Sequence, residues 1–67
     1  MVTRTDIADS LEGAFGSGPL TRRQIISAAD LRGASGELLA ALGRLPEGTY
    51  SHLRDLWKHL GDVPRGV

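Results

Sequence analysis

The sequence predicts an all-α protein, a compact bundle of about four short helices whose central pair has the shape of a helix-turn-helix. Three observations predict it. Apolar residues recur at i, i+3, i+4 and i+7 at Leu53, Leu56, Trp57 and Leu60. Thr21 and Gln24 form a T-x-x-Q capping box, with Leu20 and Ile25 in the staple positions on either side. No segment alternates apolar and polar residues as a half-buried strand does.

A first helix starts at a Thr3 or Thr5 cap and runs to about Ala14, with Asp6 and Asp9 near its positive end and Ile7, Leu11 and Ala14 on one face. The GSGP stretch, residues 16–19, is a flexible turn. The second helix starts at Thr21, turns Ile25, Ile26 and Ala29 inward, and ends at Gly33, where glycine takes a left-handed conformation without steric cost. Ser35 caps a third helix that reaches Leu45, with Leu38, Leu39, Leu42 and Leu45 inward, and Pro46 ends it. The EGTY segment is a turn, Ser51 caps a fourth helix, Gly61 stops that helix and Pro64 prevents its resumption.

These elements make one small helical domain over residues 1–67, with 1–4 and 62–67 frayed. The expected core is Ile7, Leu11, Phe15, Leu20, Ile25, Ile26, Ala29, Leu38, Leu39, Leu42, Leu45, Tyr50, Leu53, Leu56, Trp57 and Leu60. A chain of this length buries only about 60% of the surface its unfolded form exposes, which makes oligomerisation or a partner a plausible part of the native state.

Composition narrows the function classes. With no cysteine there is neither a disulfide framework nor a thiolate metal site, as expected of a cytoplasmic protein. The opening MVTRTDIADS carries two aspartates and no apolar run, unlike a signal peptide, and no stretch approaches a membrane span. Eight basic residues balance eight acidic ones, whereas a dedicated DNA binder usually shows a basic excess.

No catalytic residues, metal ligands or cofactor site are assigned, and the chain reads as a non-enzyme. It has no nucleophile elbow, phosphate-cradling loop or dinucleotide fingerprint. His52, Asp55 and His59 recur on one side of the fourth helix, but seven residues place the histidines about 10 Å apart along the axis, too far to share an ion.

Two interaction readings remain. The stretch RQIISAADLRGASGELLAAL, residues 24–43, puts Ala29, Gly33 and the Ala34-Ser35 pair where a DNA-binding helix-turn-helix needs close crossing and a turn. The outward positions of its second helix are then Gly36, Glu37, Ala40, Ala41, Gly43 and Arg44, which provide one arginine and no Asn, Gln or Lys to read base edges. Arg22, Arg23, Arg44, Arg54 and Lys58 are the candidate nucleic-acid contacts, and binding through them is expected to be weak, nonspecific and salt-sensitive. Gly36, Ala40 and Gly43 give the third helix a smooth stripe, although glycine inside a helix costs about 1 kcal/mol. That stripe packs either against the first helix or against another chain. The leading reading is therefore a noncatalytic module that binds a protein partner or itself, with DNA association as the alternative.

Leu45, Pro46, Tyr50, Asp55, Trp57, Lys58 and Gly61 spell L-P-x-x-x-Y-x-x-x-x-D-x-W-K-x-x-G, and Leu11, Gly13, Phe15 and Pro19 precede a capped helix with glycine at its end. From Leu11 to Gly61 the chain thereby resembles a family of small bacterial domains common in actinobacteria, domain of unknown function 2795. Members run more directly from the aromatic to the proline, so the Gly16-Ser17-Gly18 spacer is a departure. The resemblance implies a compact helical fold and a bacterial cytosolic origin, and it implies no activity.

Overall fold

The computed structural model describes residues 2–65. Four helices, α1 (Arg4–Ser10), α2 (Arg22–Leu31), α3 (Gly36–Leu42) and α4 (Arg54–Trp57), are joined by a 3-10 turn at Ala14–Ser17 and two short strands, β1 (Leu20–Thr21) and β2 (Thr49–Tyr50). The strands pair antiparallel, Leu20 opposite Tyr50 and Thr21 opposite Thr49. The fold is thus mostly helical but not all-α. The EGTY segment read as a turn supplies one strand, because two residues are too few to carry an alternating pattern.

The N-terminal caps of α1, α2 and α3 follow the sequence. Thr3 makes a reciprocal box with Asp6: its hydroxyl accepts from the Asp6 amide at 3.1 Å while its own amide donates to the Asp6 carboxylate at 3.0 Å. Thr21 and Gln24 do the same for α2, and the Ser35 hydroxyl accepts from the Leu38 amide at 3.2 Å. At the other end of α2 the Ala34 amide reaches the Ala29 carbonyl and the Gly33 amide reaches Asp30. This is a Schellman closure, made possible by the positive φ of Gly33 (+79°).

The helices are shorter than their apolar spacing suggests. α1 stops at Ser10 rather than Ala14, because Gly13 takes φ +79° and the chain re-forms as the 3-10 turn Ala14–Ser17, which runs into the expected GSGP loop. α3 stops at Leu42 rather than Leu45. Its continuation tightens into i→i−3 bonds, Arg44 to Ala41 and Leu45 to Leu42, and the Arg22 guanidinium holds the Gly43 carbonyl at 2.7 Å. α4 has only four residues and is not capped by the Ser51 hydroxyl. Instead the Asp55 carboxylate reaches back to the Ser51 and His52 amides, both at 3.1 Å.

Ile7, Leu11, Ile25, Ala29, Leu38, Leu42, Leu45, Tyr50, Leu56, Leu60 and Val63 form the buried core. Phe15, Leu20, Ile26, Leu39, Leu53 and Trp57, also expected inside, pack on its margin half-buried. Ala41, expected to face outward, is only 8% exposed. The tail is docked rather than frayed as far as the description extends. Val63 is 6% exposed, the Arg4 amide donates to the Pro64 carbonyl at 2.8 Å, and the Thr5 amide and hydroxyl both donate to the Arg65 carbonyl. At the other end Arg4 is held by the same clasp, Thr3 by its box with Asp6, and Val2 packs on the core, while Met1, Gly66 and Val67 lie outside the described residues.

Candidate interaction groove

The residues of α3 that face out divide by size. Gly36 and Ala40 are exposed, and a Cβ added at Gly36 would meet nothing within 4 Å, so α1 does not cover the small-residue stripe. Gly43 is half-buried, with its carbonyl engaged by Arg22. α1 lies instead beside the α2–α3 turn, where Asp6, Asp9 and Ser10 face Gly33, Ala34 and Ser35 across a polar recess.

On the side of α3 that shares Ala40 with that stripe, Glu37, Ala40, Ala41 and Arg44 line an open groove of about 560 Å³ whose other wall is Val2, Asp62, Val63 and Pro64. The apolar floor exists because the docked tail stands opposite the two alanines, which are too small to fill the gap. Arg44 closes the rim by donating to Asp62 at 2.7 Å, with the two side chains 50% and 65% exposed. That bond raises the Arg44 pKa and lowers that of Asp62, so both stay charged near neutrality. Of the three small residues singled out in the sequence, only Ala40 belongs to the groove. Ala41, Val2, Val63 and Pro64 were missed, the last two because a short polar tail containing proline reads as loose chain.

The structure does not gather the five basic residues into one basic face. Arg22 is tied to the Gly43 carbonyl and Arg44 to Asp62. Arg22 and Arg23 flank a recess that also contains Glu47, with Thr21, Gly48 and Thr49. Arg54 and Lys58 are exposed on and just beyond α4, beside Asp55. Among the described residues no group of three His, Cys, Asp or Glu is placed to hold a metal ion. His59 stands edge-on to the Tyr50 ring at 6.0 Å, and Asp55 caps the turn before α4.

The residues of the aromatic motif build the second half of the fold. Leu45 and Tyr50 are buried, the Tyr50 hydroxyl donates to the Pro46 carbonyl, Asp55 caps, and Trp57 carries the Arg4 guanidinium over its ring at 5.3 Å. The description "protein of unknown function (DUF2795)" matches residues 2–57. The chain belongs to this DUF2795 family. The match ends at Trp57, so the α3 side of the groove lies within the DUF2795 region while Asp62, Val63 and Pro64 lie beyond it. No curated protein and no solved structure matched the chain. No helix among the described residues is long and apolar enough to cross a membrane.

Proposed function

We propose that this DUF2795 domain is a noncatalytic interaction module that contacts another protein chain along the groove between α3 and the tail. The observation that carries the reading is the groove itself: an apolar floor in which Ala40 and Pro64 are exposed above the buried Ala41 and Val63, rimmed by a charged pair. Apolar surface held concave beside exposed charge is the usual composition of a protein contact, with a dry centre and a polar rim. The nucleic-acid alternative is less well supported. Two of its five cations are spent on internal partners, and a third, Arg23, shares its recess with Glu47.

The test is site-specific photo-crosslinking in the source cell, with a photoreactive side chain at Ala40 and, as control, at Ser27, which is exposed on α2. A discrete protein adduct from position 40 and none from position 27 is the expected result. Equal labelling from both positions, or none from either in a folded chain, overturns the proposal.

A further inference from the structure

Along α3 the groove presents Glu37, Ala40, Ala41 and Arg44, a spacing of i, i+3, i+4 and i+7 that keeps all four on one face. Arg44 lies two residues beyond the last residue of α3, but Gly43 retains right-handed helical dihedrals (φ −65°, ψ −16°) and the Arg44 amide bonds to the Ala41 carbonyl, so the face continues to it. The arrangement is self-complementary. If two copies of this face meet antiparallel about a twofold axis midway between Ala40 and Ala41, Ala40 falls opposite Ala41, and Glu37 of each copy falls opposite Arg44 of the other. Alanines at the centre permit the closest helix approach, and opposite charges meet at both ends. Arg44 then sits between its own Asp62 and Glu37 of the second copy, which suits an exposed guanidinium with five donors, only one of which is used on Asp62.

We propose that the occupant of the groove is a second copy of this chain, docked antiparallel through α3 with reciprocal Glu37–Arg44 pairs. This inference rests on the interaction reading above and names its partner. An isologous contact of this kind uses the same patch twice, and a patch built on one short helix and a short tail is small. The dimer is accordingly weak, with a Kd on the order of 100 µM.

Sedimentation equilibrium of the full chain from about 10 µM to 1 mM tests the inference. The wild-type chain is expected to dimerise across this range. Glu37→Arg places two arginine pairs across the axis and Arg44→Glu two carboxylate pairs, so each variant alone should associate at least about tenfold more weakly. Mixed in equal amounts, the two variants present opposite charges to one another at both ends of the face and should recover association as heterodimers. Circular dichroism checks that each variant is folded. Because Arg44→Glu also faces Asp62, Ala40→Glu serves as a second probe, adding bulk and charge at the centre of the contact from an exposed position. A wild-type chain that remains monomeric throughout overturns the second-copy inference, and so does a dimer insensitive to Glu37→Arg and Ala40→Glu or variants that mixing does not rescue. A crosslink from position 40 to a different protein, with a monomeric wild-type chain, removes this inference while leaving the interaction reading intact. Absence of both crosslink and dimer removes both.

Discussion

Asp55 is the residue whose chemistry the fold uses most directly. Its carboxylate accepts the His52 and Ser51 amides, and these bonds, with Lys58 and His52 adding charge, hold its pKa below the usual carboxylate value. A folded pKa below the unfolded one means that the group contributes stability above the unfolded pKa of about 3.9, and that the contribution is lost as pH falls through the folded value. Asp62 is shifted the same way by Arg44 and weakens in the same acid range. Comparing wild type with Asp55→Asn cancels that second group. The melting temperature of the variant should lie below wild type by a constant margin from pH 6 to 8 (about neutral), and the margin should close as pH drops below about 4. A margin independent of pH would assign Asp55 a packing role in place of a charged cap. That an acidic residue stood in this segment was legible in the sequence; that it caps backward across the turn was not. The expected cap was Ser51, whose hydroxyl suits the role by residue type, whereas the choice between them depends on the loop geometry after Tyr50.

At the scale of elements, what the sequence made legible is what local chemistry decides within three or four residues. The Thr21 box, the Ser35 cap, the Gly33 closure and a cap at Thr3, one of the two candidates with Thr5, need only neighbouring backbone groups, and all four are present. The end of α3 was misplaced because a distant partner helps decide it, Arg22 on the Gly43 carbonyl, whereas α1 is cut short by the left-handed Gly13 and the start of α4 is set by the Asp55 cap. The strands escaped notice because their pairing is non-local: Leu20 meets Tyr50 across the whole of α2 and α3. Gly33 offers a clean measure of a local signal. A Cβ there would meet no atom within 4 Å, so any loss on substitution is backbone strain alone. Gly33→Ala is expected to cost about 1 kcal/mol, lowering the melting temperature by roughly 4–8 °C in a domain of this size. A thermal melt of the two proteins decides it, and an unchanged midpoint would show that the turn relaxes to a right-handed conformation without penalty.

At the scale of the whole molecule, the two ends of the described chain are clasped together, and the groove depends on that clasp. Val63 plugs the core, the Pro64 and Arg65 carbonyls take the first amides of α1, Asp62 holds Arg44, and Val2 and Pro64 stand as walls beside Ala40. The groove was therefore only half legible in sequence. Ala40 is marked by its size on α3, whereas its opposite wall comes from a tail whose single buried valine carries no period. Deleting the chain after Gly61 separates these contributions from the helices themselves. Loss of the buried valine and of the acceptors for α1 should cost about 2 kcal/mol in urea denaturation, a large share of the stability of a small domain. Hydrogen exchange should locate the loss in the first turn of α1, where the Arg4 and Thr5 amides lose their partners, while the α2 amides protected by the Thr21 box and the Gly33 closure open only with the whole domain. The same truncation leaves Ala40 on an open helix face, so association and crosslinking through position 40 should fall even at temperatures where the shortened chain remains folded. If the truncated protein matches the full chain in urea and in association, the tail is a bystander and the contact face is α3 alone.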